Sequence, residues 1–144
     1  MPEFSNLADL ERYLNQKISK ALETTVSEEA KKTMSEHVEI DVYDRYNPTS
    51  YERTGALADE SNIQTTMIND NTLEIENVRK DEETGRLVAP VIESGKGYEW
   101  GYNRNLNEVI GERPFIQETA KDLASGKALA ALAEGLKKQG LDVI

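Results

Sequence analysis

Few residues in this sequence have a type and spacing that could do chemistry. The chain of 144 residues holds one histidine, His37, and no cysteine. A Ser-His-Asp relay has that single base to work with, and no Gly-x-Ser-x-Gly turn presents a nucleophile to it. A histidine metal site needs further His, Cys or converging carboxylates, so His37 is expected at a helix end, at the surface or against terminal carbonyls. Glu74, Glu76, Glu93 and Lys96 have the types of a metal-nuclease constellation, which needs two or three acids converging on one metal. Glu74 and Glu76 do share one face of a strand, but that face reads as the solvated one. Ser94-Gly95-Lys96-Gly97 looks like a phosphate loop, yet Pro90 stands where its first glycine belongs and Gly97 where Ser or Thr should follow the lysine. The expectation is a non-enzymatic protein with no catalytic residue, no cofactor and no metal.

Composition narrows the partners. Seventeen basic residues stand against 27 acidic ones, a net charge of −10, and the basic residues form no long cluster. Direct nucleic-acid affinity is not expected, because it comes from Lys and Arg displacing counterions from phosphate. An anionic membrane surface would repel the chain as well, and no apolar run approaches the roughly 18 residues of a membrane span. Met1-Pro2-Glu3-Phe4 has neither a basic nor an apolar signal region, so synthesis and use in a cytoplasm are expected. The length suits a single domain, residues 1–144. With 38 % apolar residues the core is expected to be thin, one layer of helix on one sheet.

The elements that must carry these residues follow from periodicity. Leu7, Leu10, Leu14, Ile18, Ala21, Leu22, Val26, Ala30 and Met34 recur at spacings of three and four, predicting a helix from about Asn6 to Glu36. Ser5 or Asn6 can cap it, with Asp9 in the first turn. Such a helix either packs along a sheet or projects one end toward a neighbouring subunit. Val38 to Tyr43 alternates and reads as a short strand with one wet face. Ser61–Ile68 and Thr72–Val78 read as a hairpin around Asn69-Asp70-Asn71. Arg86 to Glu93 reads as an edge strand or a bulged one because of Pro90. Ser94 to Gly111 reads as a loop containing Tyr98, Trp100 and Tyr102. Arg113-Pro114-Phe115 opens the last helix, Ser125-Gly126 breaks or kinks it, and Ala128 to Lys138 resumes it before Gly140. The fold class expected is α+β: long N-terminal and C-terminal helices on a small antiparallel sheet of three to four strands.

The densest unusual stretch is Tyr43-Asp44-Arg45-Tyr46-Asn47-Pro48-Thr49-Ser50-Tyr51-Glu52-Arg53-Thr54-Gly55-Ala56-Leu57. Tyr and Arg in such a run serve recognition, where they are enriched between proteins. Tyr43, Tyr46 and Tyr51 can also close the sheet edge over the helix with hydroxyls outward, and the two roles are compatible. The order of pieces resembles the bacteriophage tail-component family of small head–tail joining (neck) proteins. The matching residues are Tyr51, Arg53, Thr54, Gly55 and Leu57, then Glu93 and Gly95, then Arg113, Pro114 and Phe115. Where that family follows its Gly with Thr and a short turn, this chain has the longer Ser94-Gly95-Lys96-Gly97-Tyr98.

The resemblance implies a phage or prophage structural protein at the head–tail junction of the virion, made in the bacterial cytoplasm. Its partners would be other head–tail connector and tail proteins, and several copies would form a ring in the virion from a protein that can be a monomer in solution. A ring of this kind needs two different patches on each subunit. The candidates are the Tyr43–Leu57 stretch on one side and Gly95, Tyr98, Trp100 and Tyr102 with Arg113 and Phe115 on the other, joined by Glu93. A second reading from the acidic charge is a cytoplasmic inhibitor, antitoxin or DNA mimic, or a phage assembly chaperone. Mimicry would need acids arrayed on one face, and here they are interleaved with Lys and Arg.

Overall fold

The structure is a computed structural model describing residues 3–43, 55–81, 85–94 and 113–143. Its spine is one helical run over residues 7–43: α1 (Leu7–Ala21), a π-helical turn (Leu22–Val26), α2 (Ser27–His37) and a second π-helical stretch (Val38–Tyr43). Asn6 caps its start, its side-chain oxygen accepting from the Asp9 N–H at 2.9 Å. No Pro or Gly interrupts the run, so nothing in the backbone ends it early.

The run continues where a strand was expected. In Val38–Tyr43 the alternation of Val38, Ile40 and Val42 is overruled by a ladder at i and i+4. Met34, Val38 and Val42 are buried together, while Ile40 remains 56 % exposed. A strand would have buried all three valine and isoleucine side chains on one face.

The sheet is a single hairpin, β1 (Ile63–Asn69) against β2 (Thr72–Asn77), antiparallel. Asn69 accepts from the Asn71 N–H at 3.0 Å and closes the turn. Ile63 is buried while Glu74 and Glu76 face water, as the alternation requires. The hairpin packs on the spine, where Ser27 and Thr65 share a hydroxyl hydrogen bond of 2.6 Å.

Among the described residues two strands rather than three or four form the sheet, because Arg86–Glu93 is not an edge strand. It contributes one bridge, Lys80 to Leu87, and then the helix α3 (Val88–Ser94). Pro90 sits in that helix's first turn, where its missing N–H has no intrahelical partner to lose. Ala89 and Ile92, three apart, turn inward together.

The C-terminal helix comprises α4 (Phe115–Asp122), a π-helical turn (Leu123–Lys127) and α5 (Ala128–Lys138). Gly126 has φ of 133°, a value that L side chains rarely adopt, and it makes the kink expected at Ser125-Gly126. This helix runs antiparallel to the spine. Asp122 meets His37, Lys127 meets Glu36, Gly135 lies on Ala21 and Thr25, and the Gln139 side chain donates to the Lys17 carbonyl at 2.8 Å. The main core sits at the spine's C-terminal end: Met34, Val38, Val42, Leu57, Ala58, Ile63, Ala89, Ile92 and Phe115. Among the described residues, no helix is long and apolar enough to cross a membrane.

Candidate functional site

The three sequence pieces that are far apart along the chain meet at this core. The first is the turn that begins at Gly55. Ala58 donates to the Gly55 carbonyl at 3.2 Å and lies 3.4 Å from the Tyr43 hydroxyl. Three side chains then hold the turn by its carbonyls: Asn62 reaches that of Ala56 at 2.9 Å, Asn77 that of Leu57 at 2.9 Å, and Ser35 that of Ala58 at 2.6 Å. Buried carbonyls need such partners, since leaving one unpaired costs about 1–3 kcal/mol. The Leu57 side chain is thereby pinned into the core.

The second and third pieces bind each other. The Glu93 carboxylate, at the end of α3, accepts from the N–H groups of Ile116 at 2.8 Å and Gln117 at 3.0 Å. Pro114, which stands at the cap position of α4, has no side-chain cap to offer. Glu93 therefore serves as a cap delivered from another helix, with its charge at the positive end of the helix dipole. Arg113 donates its N–H to the Ile92 carbonyl at 3.1 Å, and its side chain is buried. Phe115 drops into the core with no exposed surface.

Glu93→Ala is expected to destabilise the fold by about 1 kcal/mol, the usual worth of a lost cap. Glu93→Gln should lose less, because it keeps an acceptor. Urea unfolding followed by circular dichroism separates the two; equal losses would show that packing, not capping, is the residue's role.

The candidate residues thus divide in two. Tyr43, Gly55, Leu57, Glu93, Arg113 and Phe115 are gathered at one end of the spine, with Leu57, Arg113 and Phe115 buried within the chain. Tyr46, Tyr51, Arg53, Gly95, Tyr98, Trp100 and Tyr102 lie outside the described residues. The two stretches were expected on opposite sides of the subunit. Their described flanks, Tyr43 and Gly55 for one and Ser94 and Arg113 for the other, instead belong to one core end. Ser35, Asn62 and Asn77, which hold the turn, have no motif to announce them.

His37 is not at a free helix surface. Its Nδ1 lies 2.7 Å from Asp41 Oδ2 and its Nε2 lies 2.9 Å from Asp122 Oδ2. Asp122 in turn holds Lys127 at 2.9 Å, and Lys127 is 3.8 Å from Glu36. Burial lowers the histidine's proton affinity, but the hydrogen bonds and charges of Asp122 and Asp41 outweigh it, and the pKa is raised. Asp122 is held below the usual carboxylate range by Lys127 first and His37 second, and Lys127 is held above its usual value by Asp122. Both ring nitrogens are thus turned to carboxylates. The two carboxylates sit on opposite nitrogens and converge on no common point. Among the described residues no group of three or more His, Cys, Asp or Glu could hold a metal ion.

The SPbeta prophage-derived uncharacterized protein YomN of Bacillus subtilis (strain 168) is 37 % identical over 114 residues, which is 76 % of this chain and 75 % of that protein. No solved structure matches the chain. The kinship is with a prophage-derived protein, which agrees with the phage origin implied by the motif order and stops short of a tail or neck assignment. A family model, YomN, matches residues 6–138, from the cap of α1 to the last turn of α5, and the chain belongs to the YomN family, which has a prophage-derived member.

Proposed function

We propose that the chain is a non-enzymatic structural protein of a phage particle, joining tail to head as one of several copies in a ring. The observation that carries this reading is the apolar stripe on the N-terminal half of α1. The last hydrogen bond from the C-terminal helix to the spine is the one at Lys17. Residues 7–16 extend beyond it for about 15 Å, and α1 has no buried residue before Ala21. That arm still carries Leu7, Leu10 and Leu14 at helical spacing, with Leu7 81 % exposed, Leu14 37 % exposed and Leu10 half-buried. A solvated arm has no use for an apolar stripe; a subunit that rests on its neighbour does.

The arm lies at one end of the molecule and the gathered motif residues at the other. Two unlike ends are what a heterologous, ring-closing contact uses. The occupant of the arm is therefore a second copy of this chain. The prophage kinship supports the particle setting, and the head–tail position rests on the order of the Arg-Thr-Gly-x-Leu, Glu-x-Gly and Arg-Pro-Phe pieces.

Leu7→Ser is expected to weaken self-association about tenfold or more while changing the monomer's stability by about 0.5 kcal/mol or less, as for other surface positions. Sedimentation of the full chain over a concentration series measures the first and thermal unfolding the second. A wild-type chain that stays monomeric at every concentration removes the arm's assigned role. Peptide mass spectrometry on induced particles then tests the particle reading itself: a few to a dozen copies per particle support it, in line with closed cyclic assemblies, and absence from particles overturns it.

A further inference from the structure

We propose that His37 is a proton-operated latch between the spine and the C-terminal helix, gripping Asp122 when the ring is charged and letting it go when the ring is neutral. The geometry requires it. Both ring nitrogens stand within hydrogen-bond distance of carboxylate oxygens, at 2.7 and 2.9 Å. An ionised carboxylate only accepts, and a neutral imidazole has one N–H to give. Both contacts are hydrogen bonds only for the doubly protonated ring.

The surroundings decide which contact opens. Asp41 is buried, and among the described residues His37 is the side chain that its carboxylate meets. Asp122 is more exposed and keeps Lys127 at 2.9 Å whether or not the histidine holds it. Lys127 also faces Glu36, and Glu29 adds to the negative surroundings that hold its charge. Leaving the buried Asp41 unpaired is the costlier loss. The neutral ring therefore keeps its single proton toward Asp41, and the contact across the two helices is the one given up.

Both partners stand at joints. His37 is the last residue of α2 before the Val38–Tyr43 π-helical stretch, and Asp122 the last of α4 before the Leu123–Lys127 turn with its kink at Gly126. Opening the latch thus loosens the C-terminal helix where its backbone is least regular. The sign follows from the raised pKa: the latch is fully closed below the unfolded value near 6.5 and opens as pH rises through the higher folded one.

The test uses the full chain at about pH 6 and about pH 9, on either side of the histidine's range. Nitrogen-15 spectra of the imidazole should show both nitrogens protonated at the lower pH and one at the higher. Amide exchange over residues 119–127, corrected for its intrinsic pH dependence, should speed about tenfold at the higher pH relative to residues 26–30. His37→Gln and Asp122→Asn should each exchange fast in this segment at both pH values, and either one suffices if the other fails to fold. A neutral ring at about pH 6 overturns the latch. So does protection over 119–127 that ignores pH, or that changes equally across the whole chain.

Discussion

Phe115→Ala is expected to lower stability by about 3–5 kcal/mol, the usual cost of deleting a fully buried aromatic ring. Among the described residues, Phe115 is the largest side chain with essentially no exposed surface. It touches a core whose other members come from the spine, the 55–58 turn, β1 and α3. None of these elements can follow the ring inward without leaving its own hydrogen bonds, such as those from Ser35 and Asn77 to the turn. The cavity therefore stays open and its cost is high. Set against a typical total of about 5–15 kcal/mol, the loss leaves a chain on the edge of unfolding. Urea unfolding at fixed temperature measures it. A loss below about 1 kcal/mol would mean that the elements collapse onto the space, and that Phe115 is not the keystone between α3, α4 and the spine.

Gly135→Leu is the second large effect, an expected loss of about 3 kcal/mol or more as overpacking adds to displaced helices. At Gly135 the C-terminal helix lies so close to the spine that a Cβ would stand 2.8 Å from Ala21 Cβ and 3.1 Å from Thr25 Oγ1. Neither neighbour is the tip of a flexible chain. Gly135→Ala sets a helix-propensity gain of about 1 kcal/mol against that collision, and the collision is expected to prevail by about 1 kcal/mol. The diagnostic variant is Ala21→Gly with Gly135→Ala, which moves the missing methyl across the seam and should recover most of the loss, as coupled neighbours do. Thermal unfolding of the three variants decides it; a Gly135→Ala chain more stable than wild type would show that the helices can part without cost.

Much of the fold is legible in the sequence, and the misses have physical causes. The two long helices, the hairpin, the Asn6 cap and the Gly126 kink all rest on local signals strong enough to survive tertiary packing. Val38–Tyr43 misleads because Val38 and Val42 fit a period of two and a spacing of four equally well. Only Ile40 separates the readings, together with Met34 upstream, which extends the ladder. Pro90 misleads because a proline suits an edge strand and a helix's first turn alike.

The site is legible as an order of motifs and not as a place. Glu93 and Arg113–Phe115 read as separate landmarks; that one caps the helix opened by the other depends on how α3 and α4 meet. His37 with Asp41 is visible at i and i+4, but Asp122 lies 85 residues away with nothing local to mark it. Gly135 is hidden for the opposite reason, as a residue whose importance is the side chain it lacks.

The π-helical turn at Leu22–Val26 has a consequence for how this family can change. Such a turn carries one residue more than the α-helical turn it replaces. Losing one residue there would restore ordinary helix without breaking the elements on either side. A π-helical turn covers about the same angle with one residue more, so everything toward the N-terminus, Leu7, Leu10 and Leu14 included, would keep its direction around the helix axis. The turn thus acts as a length buffer, absorbing a single-codon deletion or insertion without turning the N-terminal stripe to a new direction. Related chains can therefore gain or lose one residue here and keep both the core and the apolar stripe in register.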